Sequence, residues 1–203
     1  MKIVIVDYGM GNIRSIVSTL TYIGVDEVIV SSDQETLKNS DKIILPGVGS
    51  FGKAMREIKE KKLDLYLKDI VVKNNKPILG ICLGMQLLGK SSTEDGNNPG
   101  LGFIEGDVVR FNNDKVKVPH VGFNQVKINN SLKLYQGFSS SADFYFTHSY
   151  KMTSTHTIKQ CMCDYGGDFI ASFELNNIAG VQFHPELSQY NGLKLLKNFI
   201  EKM

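Results

Sequence analysis

The sequence lacks tryptophan, has only three cysteines, and contains no apolar run that approaches the ~20 residues of a transmembrane helix. Three cysteines are few and odd in number for a disulfide framework, so we expect a protein of the reducing cytoplasm. The short apolar run after Lys2 stops at Asp7, before it reaches the length of a signal-peptide core, and secretion is not expected.

An excess of charge of one sign is also lacking. The chain has 23 basic and 21 acidic residues, a net charge of +2, and this balance does not call for a nucleic-acid partner. Hydrophobic residues make up 42% and charged residues 22%, which is typical of a globular protein. The length of 203 residues favours one domain over residues 1–203.

The first half of the chain alternates short apolar segments with segments of helical periodicity, which predicts a parallel sheet with helices on both faces. The predicted strands are Lys2–Val6, Glu27–Val30, Lys42–Leu45 and Pro77–Ile81. The predicted helices are Asn12–Ile23, Phe51–Lys73 and one that begins at Leu83.

The second half of the chain has short strands separated by turns, and we expect some of them to be antiparallel additions to the sheet. These strands are Gly102–Phe111, Lys115–Val118, Asn124–Ile128, Phe144–Thr147, Thr157–Cys163, Phe169–Phe173 and Ile178–Phe183. Residues 93–101 are predicted as a loop and Gln189–Lys202 as a closing helix. The expected fold class is α/β, a mostly parallel sheet with an antiparallel extension.

The segment Gly80-Ile81-Cys82-Leu83-Gly84 places a cysteine between a predicted strand and a predicted helix. A nucleophile on such a turn has a strained backbone, small flanking residues, and a helix N-terminus that favours the thiolate. The backbone N–H of Leu83 then lies where it can stabilise an oxyanion. The alternative is that Cys82 is a small buried residue.

A second segment, His184-Pro185-Glu186, follows a predicted strand and supplies the groups that a cysteine nucleophile needs. Proline prevents regular structure there, so the imidazole and the carboxylate can face each other. A carboxylate that orients an imidazole, with a thiol at the other ring nitrogen, is a catalytic triad. Together with the Cys82 turn, this pattern favours catalysis over a structural histidine.

A glycine-rich loop, Pro46-Gly47-Val48-Gly49, follows another predicted strand. Glycines let the backbone approach a ligand closely, so we interpret this loop as a second oxyanion donor; a simple tight turn is the alternative. The loop fits neither the dinucleotide-binding fingerprint nor the phosphate-binding P-loop.

The remaining histidines and cysteines give weaker signals. His120 and His148 could each line a site or be satisfied in the core, and His156 is expected to be exposed. Cys161 and Cys163 form an isolated Cys-x-Cys without a second pair of ligands. We therefore expect neither a metal nor a cofactor.

These motifs, in this order, resemble the class I glutamine amidotransferases, and within them the HisH-type glutaminase subunits of imidazole glycerol phosphate synthase. The segments that carry the resemblance are Asp7–Asn12, Pro46–Gly52, Gly80–Gln86, Pro119–Asn124, His148–Tyr150 and Gly180–Gln189. The resemblance extends from residue 2 to about residue 200. It implies the flavodoxin-like fold of this family.

The resemblance also implies roles for individual residues. Cys82 would be the nucleophile, His184 the general base and Glu186 its orienting carboxylate. The oxyanion hole would be formed by the N–H groups of Val48 and Leu83. Glutamine would be held at Gly49, Gln86, Ser149 and Tyr150.

The resemblance further implies a partner, a HisF-type (β/α)8 cyclase that receives the ammonia and converts PRFAR to imidazole glycerol phosphate and AICAR. Asn12, Phe123 and Leu187 would lie at that interface. Phe123 stands where the family usually has tryptophan, and Leu187 where it usually has lysine. These departures keep open a HisH-like paralogue that feeds a surface-sugar amidotransferase. A silent regulatory subunit or a stand-alone cysteine hydrolase are further alternatives.

Overall fold

The computed structural model describes residues 1–154 and 158–203, in which short strands and helices alternate over the first half of the chain. The strands are β1 (Lys2–Val6), β2 (Glu27–Ser31), β3 (Lys42–Leu45), β4 (Ile78–Ile81), β5 (Ser91–Ser92), β6 (Asn98–Pro99), β7 (Asp107–Arg110), β8 (His120–Lys127), β9 (Ser141–His148), β10 (Tyr150–Thr153), β11 (Lys159–Asp164), β12 (Asp168–Leu175) and β13 (Ile178–Val181).

The helices are α1 (Ile13–Tyr22), α2 (Gln34–Lys38), α3 (Phe51–Glu60), α4 (Leu63–Leu67), α5 (Leu83–Leu87) and α6 (Gln189–Lys202). A π-helical turn, Lys68–Lys73, continues α4, and 3₁₀ turns lie at Lys133–Tyr135 and Pro185–Leu187. Among the described residues, none of the helices combines the length and apolarity that crossing a membrane requires.

Nine strands form the main sheet in the order β2-β1-β3-β4-β13-β12-β11-β8-β9. The first five are mutually parallel, and the pairings from β13 to β9 are antiparallel. A smaller sheet has the order β10-β7-β5-β6. The predicted α/β class, with a parallel sheet and an antiparallel extension, is confirmed.

Apolar side chains on both faces of the parallel strands explain why helices cover both faces. In β1, Ile3 and Ile5 belong to the core cluster that includes Leu20 of α1 and Phe199 of α6. The alternate residues of β1 belong to a second cluster, with α3 and α4. Since successive side chains of a strand point to opposite faces, the β-branched run builds two cores at once. Each fully buried side chain of this size contributes roughly 1.5–3 kcal/mol.

The prediction of one helix over Phe51–Lys73 is wrong, because the chain turns at Lys62, whose φ is 57°. The buried stripe of α3 includes Met55 and Ile58, and a continuous helix would bring Lys62 onto that stripe. The turn instead places Leu63 in the core.

Two other strand predictions also need correction. Residues Lys115–Val118 form turns and bends, and the Lys117 carbonyl accepts a hydrogen bond from the Tyr165 hydroxyl rather than from a neighbouring strand. Within Gly102–Phe111 only β7 is extended. The start of the strand predicted at Thr157, and the exposure predicted for His156, lie outside the described residues.

Candidate active site

Cys82 lies on a sharp turn between β4 and α5, at the carboxyl edge of the parallel strands. Its backbone has φ 52° and ψ −110°, a sparsely populated conformation for a residue with a side chain. Its N–H donates to the Val181 carbonyl at 2.8 Å, which ties the turn to β13. The turn therefore holds the thiol in a strained but well-anchored position.

The two glycines that flank Cys82 are required by close backbone packing. A Cβ added at Gly84 would lie 1.8 Å from the Leu45 carbonyl oxygen, and one at Gly80 would lie 2.7 Å from the Gly84 oxygen. Both positions are therefore closed to larger residues, because α5 packs directly against the ends of β3 and β4.

A cavity of about 280 Å³ opens beside the Cys82 thiol. The structure brings together there every residue for which the resemblance implied oxyanion or substrate binding. These are Val48, Gly49, Leu83, Gln86, Ser149 and Tyr150. The volume is near the lower end of the range for small-molecule sites.

His184 and Glu186 form a buried pair at the end of β13. His184 Nδ1 lies 2.9 Å from Glu186 Oε1, and both side chains are nearly inaccessible to solvent. The His184 backbone is held at both ends, because its N–H donates to the Tyr145 carbonyl at 2.8 Å and its carbonyl accepts from the Ser188 hydroxyl at 2.6 Å. The imidazole therefore has a fixed position.

The charge environment favours a protonated His184. Burial lowers the pKa of His184, but the interactions with Cys82 and Glu186 outweigh burial and hold the pKa above its usual value of 6.5. Among the residues that the structure describes, His184 Nε2 and Glu186 Oε2 are buried without a hydrogen-bond partner. An imidazole that gains a proton beside a thiol is what nucleophile activation requires.

Asn12 has a contact that sequence reasoning missed. Its Nδ2 donates to Glu186 Oε1 at 3.2 Å, so the same carboxylate oxygen accepts from Asn12 and interacts with His184. Asn12 precedes α1, some 174 residues before Glu186, and only the tertiary structure brings them together. It orients the carboxylate that orients the imidazole.

Two buried amides, Gln86 and Gln182, also contact the nucleophile's surroundings. Gln182 Nε2 lies 3.7 Å from Cys82 Sγ, a distance that suits a weak hydrogen bond to sulfur. Gln182 Oε1 accepts from Gln86 Nε2 at 2.9 Å. Sequence reasoning missed Gln182, although its position two residues before His184 was a signal.

Glu94 places a carboxylate in the cavity, and the sequence prediction of a plain loop at 93–101 missed it. Its Oε2 accepts from the Phe51 N–H at 2.8 Å. Burial raises the pKa of Glu94, while the Phe51 hydrogen bond opposes this shift and nearby Asp95 adds to it. In its ionised form, Glu94 gives the far end of the cavity a negative charge.

The glycine-rich loop lies against the Cys82 turn. A Cβ added at Gly47 would lie 2.8 Å from Gly84 N, so this backbone approach also depends on glycine. The buried Tyr8 hydroxyl donates to the Pro46 carbonyl at 2.7 Å and fixes the start of the loop. Gly49 has φ 103°, a conformation that favours glycine.

Two of the residues predicted at a partner interface, Phe123 and Leu187, are exposed apolar side chains. Phe123 is 51% exposed and Leu187 is 42% exposed. Phe123 and Tyr190 line a shallow depression of about 310 Å³, and Tyr190 is also largely exposed. The depression also includes Ser188 and Gln189, which directly follow the loop that carries His184, Glu186 and Leu187.

The arrangement suits nucleophilic attack by a thiol on a small carbonyl compound. The thiol faces a cavity, an imidazole can take its proton, and a buried carboxylate holds that imidazole. Val48 and Leu83, the residues predicted to stabilise an oxyanion, both line this cavity.

Comparison with known proteins gives consistent results. Residues 4–203 match the family described as glutamine amidotransferase class-I. The imidazole glycerol phosphate synthase subunit HisH 2 of Vibrio vulnificus (strain YJ016) is 45% identical, over 99% of this chain and 94% of that protein. The imidazole glycerol phosphate synthase subunit HisH of Aquifex aeolicus (strain VF5) is 42% identical, over 100% of this chain and 97% of that protein. A crystal structure of a glutamine amidotransferase has the same fold, with a TM-score of 0.77 at 20% identity over 98% and 97% of the two chains.

Proposed function

We propose a specific reaction for this chain, which belongs to the class I glutamine amidotransferase family: hydrolysis of L-glutamine to glutamate and ammonia by Cys82, His184 and Glu186. The observation that carries the proposal is the strained Cys82 turn, which presents a thiol to a cavity beside a buried His184–Glu186 pair. We further propose that residues 1–203 act as one domain.

In the first step, Cys82 Sγ attacks the side-chain amide carbon of glutamine. His184 accepts the thiol proton, and the amide oxygen becomes an oxyanion that the N–H groups of Leu83 and Val48 stabilise. His184 then protonates the leaving nitrogen. The carbon–nitrogen bond breaks, ammonia leaves, and a γ-glutamyl thioester remains on Cys82.

In the second step, water hydrolyses the thioester and displaces the Cys82 sulfur from the acyl carbon. His184 takes one proton from the water as the hydroxyl attacks the thioester carbon. The carbon–sulfur bond then breaks, glutamate leaves, and the proton returns to the Cys82 sulfur. Glu186 keeps the imidazole oriented through both steps.

The polar groups of the cavity suit a free amino acid. Glutamine carries an α-ammonium group, and Glu94 offers it a half-buried carboxylate. Gln86 directs its Nε2 to the protein, at Gln182 and Tyr150, so its Oε1 remains as an acceptor for the ligand. These two side chains would distinguish glutamine from a simple amide.

The chain is a HisH-type glutaminase subunit of imidazole glycerol phosphate synthase in histidine biosynthesis, and a subunit implies a partner. We infer a HisF-type (β/α)8 cyclase that uses the ammonia to convert PRFAR to imidazole glycerol phosphate and AICAR. The exposed Phe123 and Leu187 side chains support such an interface, because Leu187 lies on the loop of His184 and Glu186, and Phe123 shares a depression with Ser188 and Gln189, which follow that loop. Asn12 reaches the same loop from α1.

A second candidate keeps the chemistry and changes the acceptor. The exposed Leu187 and Phe123 stand where the family usually has lysine and tryptophan, so the partner's face would have to differ as well. The number in the name of the Vibrio relative, HisH 2, fits organisms with more than one such subunit. The acceptor would then be a surface-sugar amidotransferase.

The test is glutamate release from glutamine by the pure chain, alone and with a cognate HisF-type cyclase and a PRFAR analogue. We expect low activity alone, strong stimulation in the pair, and loss of activity in Cys82→Ala. Cys163→Ala, which removes another buried thiol, serves as the matched control and should keep activity. Activity without stimulation would favour the second candidate, and unchanged activity in Cys82→Ala would refute the mechanism.

A further inference from the structure

A chain of side-chain hydrogen bonds runs from the surface at β8 to the wall of the cavity. Asn124 Nδ2 lies 3.3 Å from His120 Nε2, and His120 Nδ1 lies 3.0 Å from His148 Nε2. His148 Nδ1 lies 2.7 Å from the Tyr150 carbonyl oxygen. Each ring nitrogen of both histidines therefore has a polar partner.

The direction of every bond in this chain is fixed from its two ends. At one end the Tyr150 carbonyl can only accept, so His148 must carry a proton on Nδ1, and a neutral His148 then accepts at Nε2. His120 then donates from Nδ1 and accepts at Nε2.

The other end gives the same answer independently. The Asn124 amide orientation is set because its Oδ1 accepts from the Gln125 N–H at 2.8 Å and its Nδ2 donates to the Asp164 carbonyl at 3.0 Å. Asn124 therefore presents an N–H to His120 Nε2, which must accept. Both imidazoles are neutral Nδ1–H tautomers, since a second ring proton would face a donor.

The packing around the pair supports the neutral form. His120 stacks between Phe146 and Tyr165, with ring centroids 4.8 and 3.9 Å away. Burial lowers the pKa of His120 to about 4. Burial, followed by the charges of His120 and His184, lowers the pKa of His148 to about 3, against an opposing hydrogen bond to Tyr150.

This series of hydrogen bonds ends at the point where the backbone crosses between the two sheets. β9 ends at His148 in the main sheet and β10 begins at Tyr150 in the smaller one, so Ser149 is the crossing residue and lines the cavity. The Tyr150 carbonyl that His148 holds also accepts from Gln86 Nε2 at 3.0 Å. Through Gln86 and Gln182 the same network reaches Cys82 Sγ.

We propose that His120 and His148 are positioning residues for the substrate glutamine. The two histidines act as a relay of hydrogen bonds with fixed tautomers, and this relay holds the Ser149–Tyr150 wall of the cavity and the amide of Gln86. The proposal rests on the proposed function, because it assigns the relay to the glutamine site. Neither His120 nor His148 hydrogen-bonds directly to a reacting atom, since the connection to Cys82 Sγ passes through Gln86 and Gln182. Its loss should therefore weaken substrate binding more than it slows the chemical steps.

The first test is nitrogen NMR of the full-length protein labelled in histidine. We expect His120 and His148, assigned through His120→Asn and His148→Gln, to be neutral Nδ1–H tautomers at pH 7. Free imidazole in water prefers the Nε2–H form, so the result distinguishes the relay from a loosely held pair. An Nε2–H tautomer or a protonated ring at either position would overturn the proposal, whatever the activity.

The second test compares two substitutions at His120. His120→Phe keeps the stack between Phe146 and Tyr165 but leaves His148 Nε2 without a donor, and we expect a roughly tenfold rise in KM for glutamine with a much smaller change in kcat. His120→Asn keeps a donor near the Nδ1 position and should restore much of the wild-type KM. Phe169→Leu, which touches both rings without polar contact, is the control and should lower stability alone.

The outcomes separate this proposal from the proposed function. If the wild-type protein lacked glutaminase activity in the assembled complex, the proposed function would be refuted. The NMR measurement of the two histidine tautomers would still test the geometry of the relay. An active wild type with the same KM in His120→Phe would refute the relay and leave the function standing. A fall in kcat with unchanged KM would also contradict a role in positioning the substrate.

Discussion

At the scale of single residues, the proposed nucleophile Cys82 depends on polar neighbours that lie far from it in the sequence. The Cys82 N–H is held by Val181, the Cys82 sulfur faces the Gln182 amide, and His184, the proposed base, is oriented by Glu186. The Glu186 carboxylate is in turn held by Asn12. Each of these contacts keeps a reacting atom in place and makes a separate substitution informative.

Replacing Asn12 by alanine should lower kcat for glutamine hydrolysis. The change removes a hydrogen bond to a buried carboxylate, a bond of the kind worth about 1.5–3 kcal/mol, so a fall of roughly tenfold is expected. Steady-state kinetics with and without the partner checks it. If Asn12 serves only at the interface, the chain alone would keep its basal rate and only the stimulation would fall.

Replacing Glu94 by glutamine should raise KM for glutamine while kcat changes little. The amide introduced at position 94 keeps an acceptor for the Phe51 N–H but removes the negative charge that faces the α-ammonium group of the substrate. Loss of a charge-assisted contact predicts a rise of roughly tenfold or more. Asp95→Asn, a charge removal at the next residue, is the matched control. Equal KM values in wild type and Glu94→Gln would contradict the assignment.

The sequence was sufficient for residues whose chemistry is local and insufficient for those that depend on folding. Cys82 between two glycines, and His184 two residues from Glu186, carry their signal in their spacing. Glu94 carries none, because a glutamate in a polar loop is ordinary, and the resemblance placed Asn12 at a partner interface rather than beside Glu186. Only the tertiary contacts of these two residues show their place in the site.

At the scale of elements, the turn from β4 into α5 sets the geometry of the site. It packs against the ends of β3 and β13 and against the glycine-rich loop. The strained backbone of Cys82 persists because these neighbours leave it no relaxed alternative. The residues of this turn therefore contribute both to the stability of the fold and to the proposed catalysis.

Substitution of Gly84 by alanine should destabilise the protein by about 3 kcal/mol or more, because the new Cβ would collide with the Leu45 carbonyl. Gly52→Ala is the control, since the three atoms nearest to its new Cβ belong to the side chain of Asn98, at 3.1–3.3 Å. This control should change stability by less than about 1 kcal/mol. Urea unfolding of the two variants measures both values, and equal stabilities would show that the turn is not closely packed.

The elements also show where periodicity misleads. The charged run from Phe51 to Lys73 has helical spacing throughout, but the helix is interrupted by the turn at Lys62. Packing of the core determines this turn, and it overrides the local helix propensity. β10 was missed because Tyr150–Thr153 pairs with β7 in the smaller sheet, and nothing local distinguishes it from a loop. The Lys42–Leu45 and Gln189–Lys202 elements, by contrast, have the predicted bounds because their patterns are complete.

At the scale of the whole molecule, the site lies where the parallel half of the sheet meets the antiparallel half. β13 pairs with β4 in parallel and with β12 in antiparallel orientation. The Cys82 turn follows β4, His184 follows β13, and His148 ends β9 at the far side of the extension. The extension thus supplies one wall of the cavity that the parallel half could not form alone.

Opposite pKa shifts predict a maximum of stability near pH 6.5–7. The folded-state pKa values of His120 and His148 are lowered to about 4 and about 3, so the unfolded chain takes up protons first and stability falls as pH drops below 6.5. The pKa of His184 is raised, so its contribution is full below 6.5 and is lost as pH rises through that raised value.

Urea unfolding across pH 4.5–9.5 tests this profile, with a slope of up to about 1.4 kcal/mol per pH unit for each group. We expect His148→Gln to flatten the acid side of the curve and His184→Gln to flatten the alkaline side. Parallel curves for the wild type and both variants would show that these histidines do not titrate differently in the folded and unfolded chains.

The covalent intermediate on Cys82 is the species on which the whole mechanism depends. Rapid mixing of the assembled complex with glutamine, followed by acid quench and mass spectrometry of the intact chain, detects it directly. We expect one glutamyl group, mapped to the peptide that contains Cys82, and no adduct in Cys82→Ala. Glutamate release at full rate with no adduct on Cys82, or with the adduct on another residue, would contradict the triad.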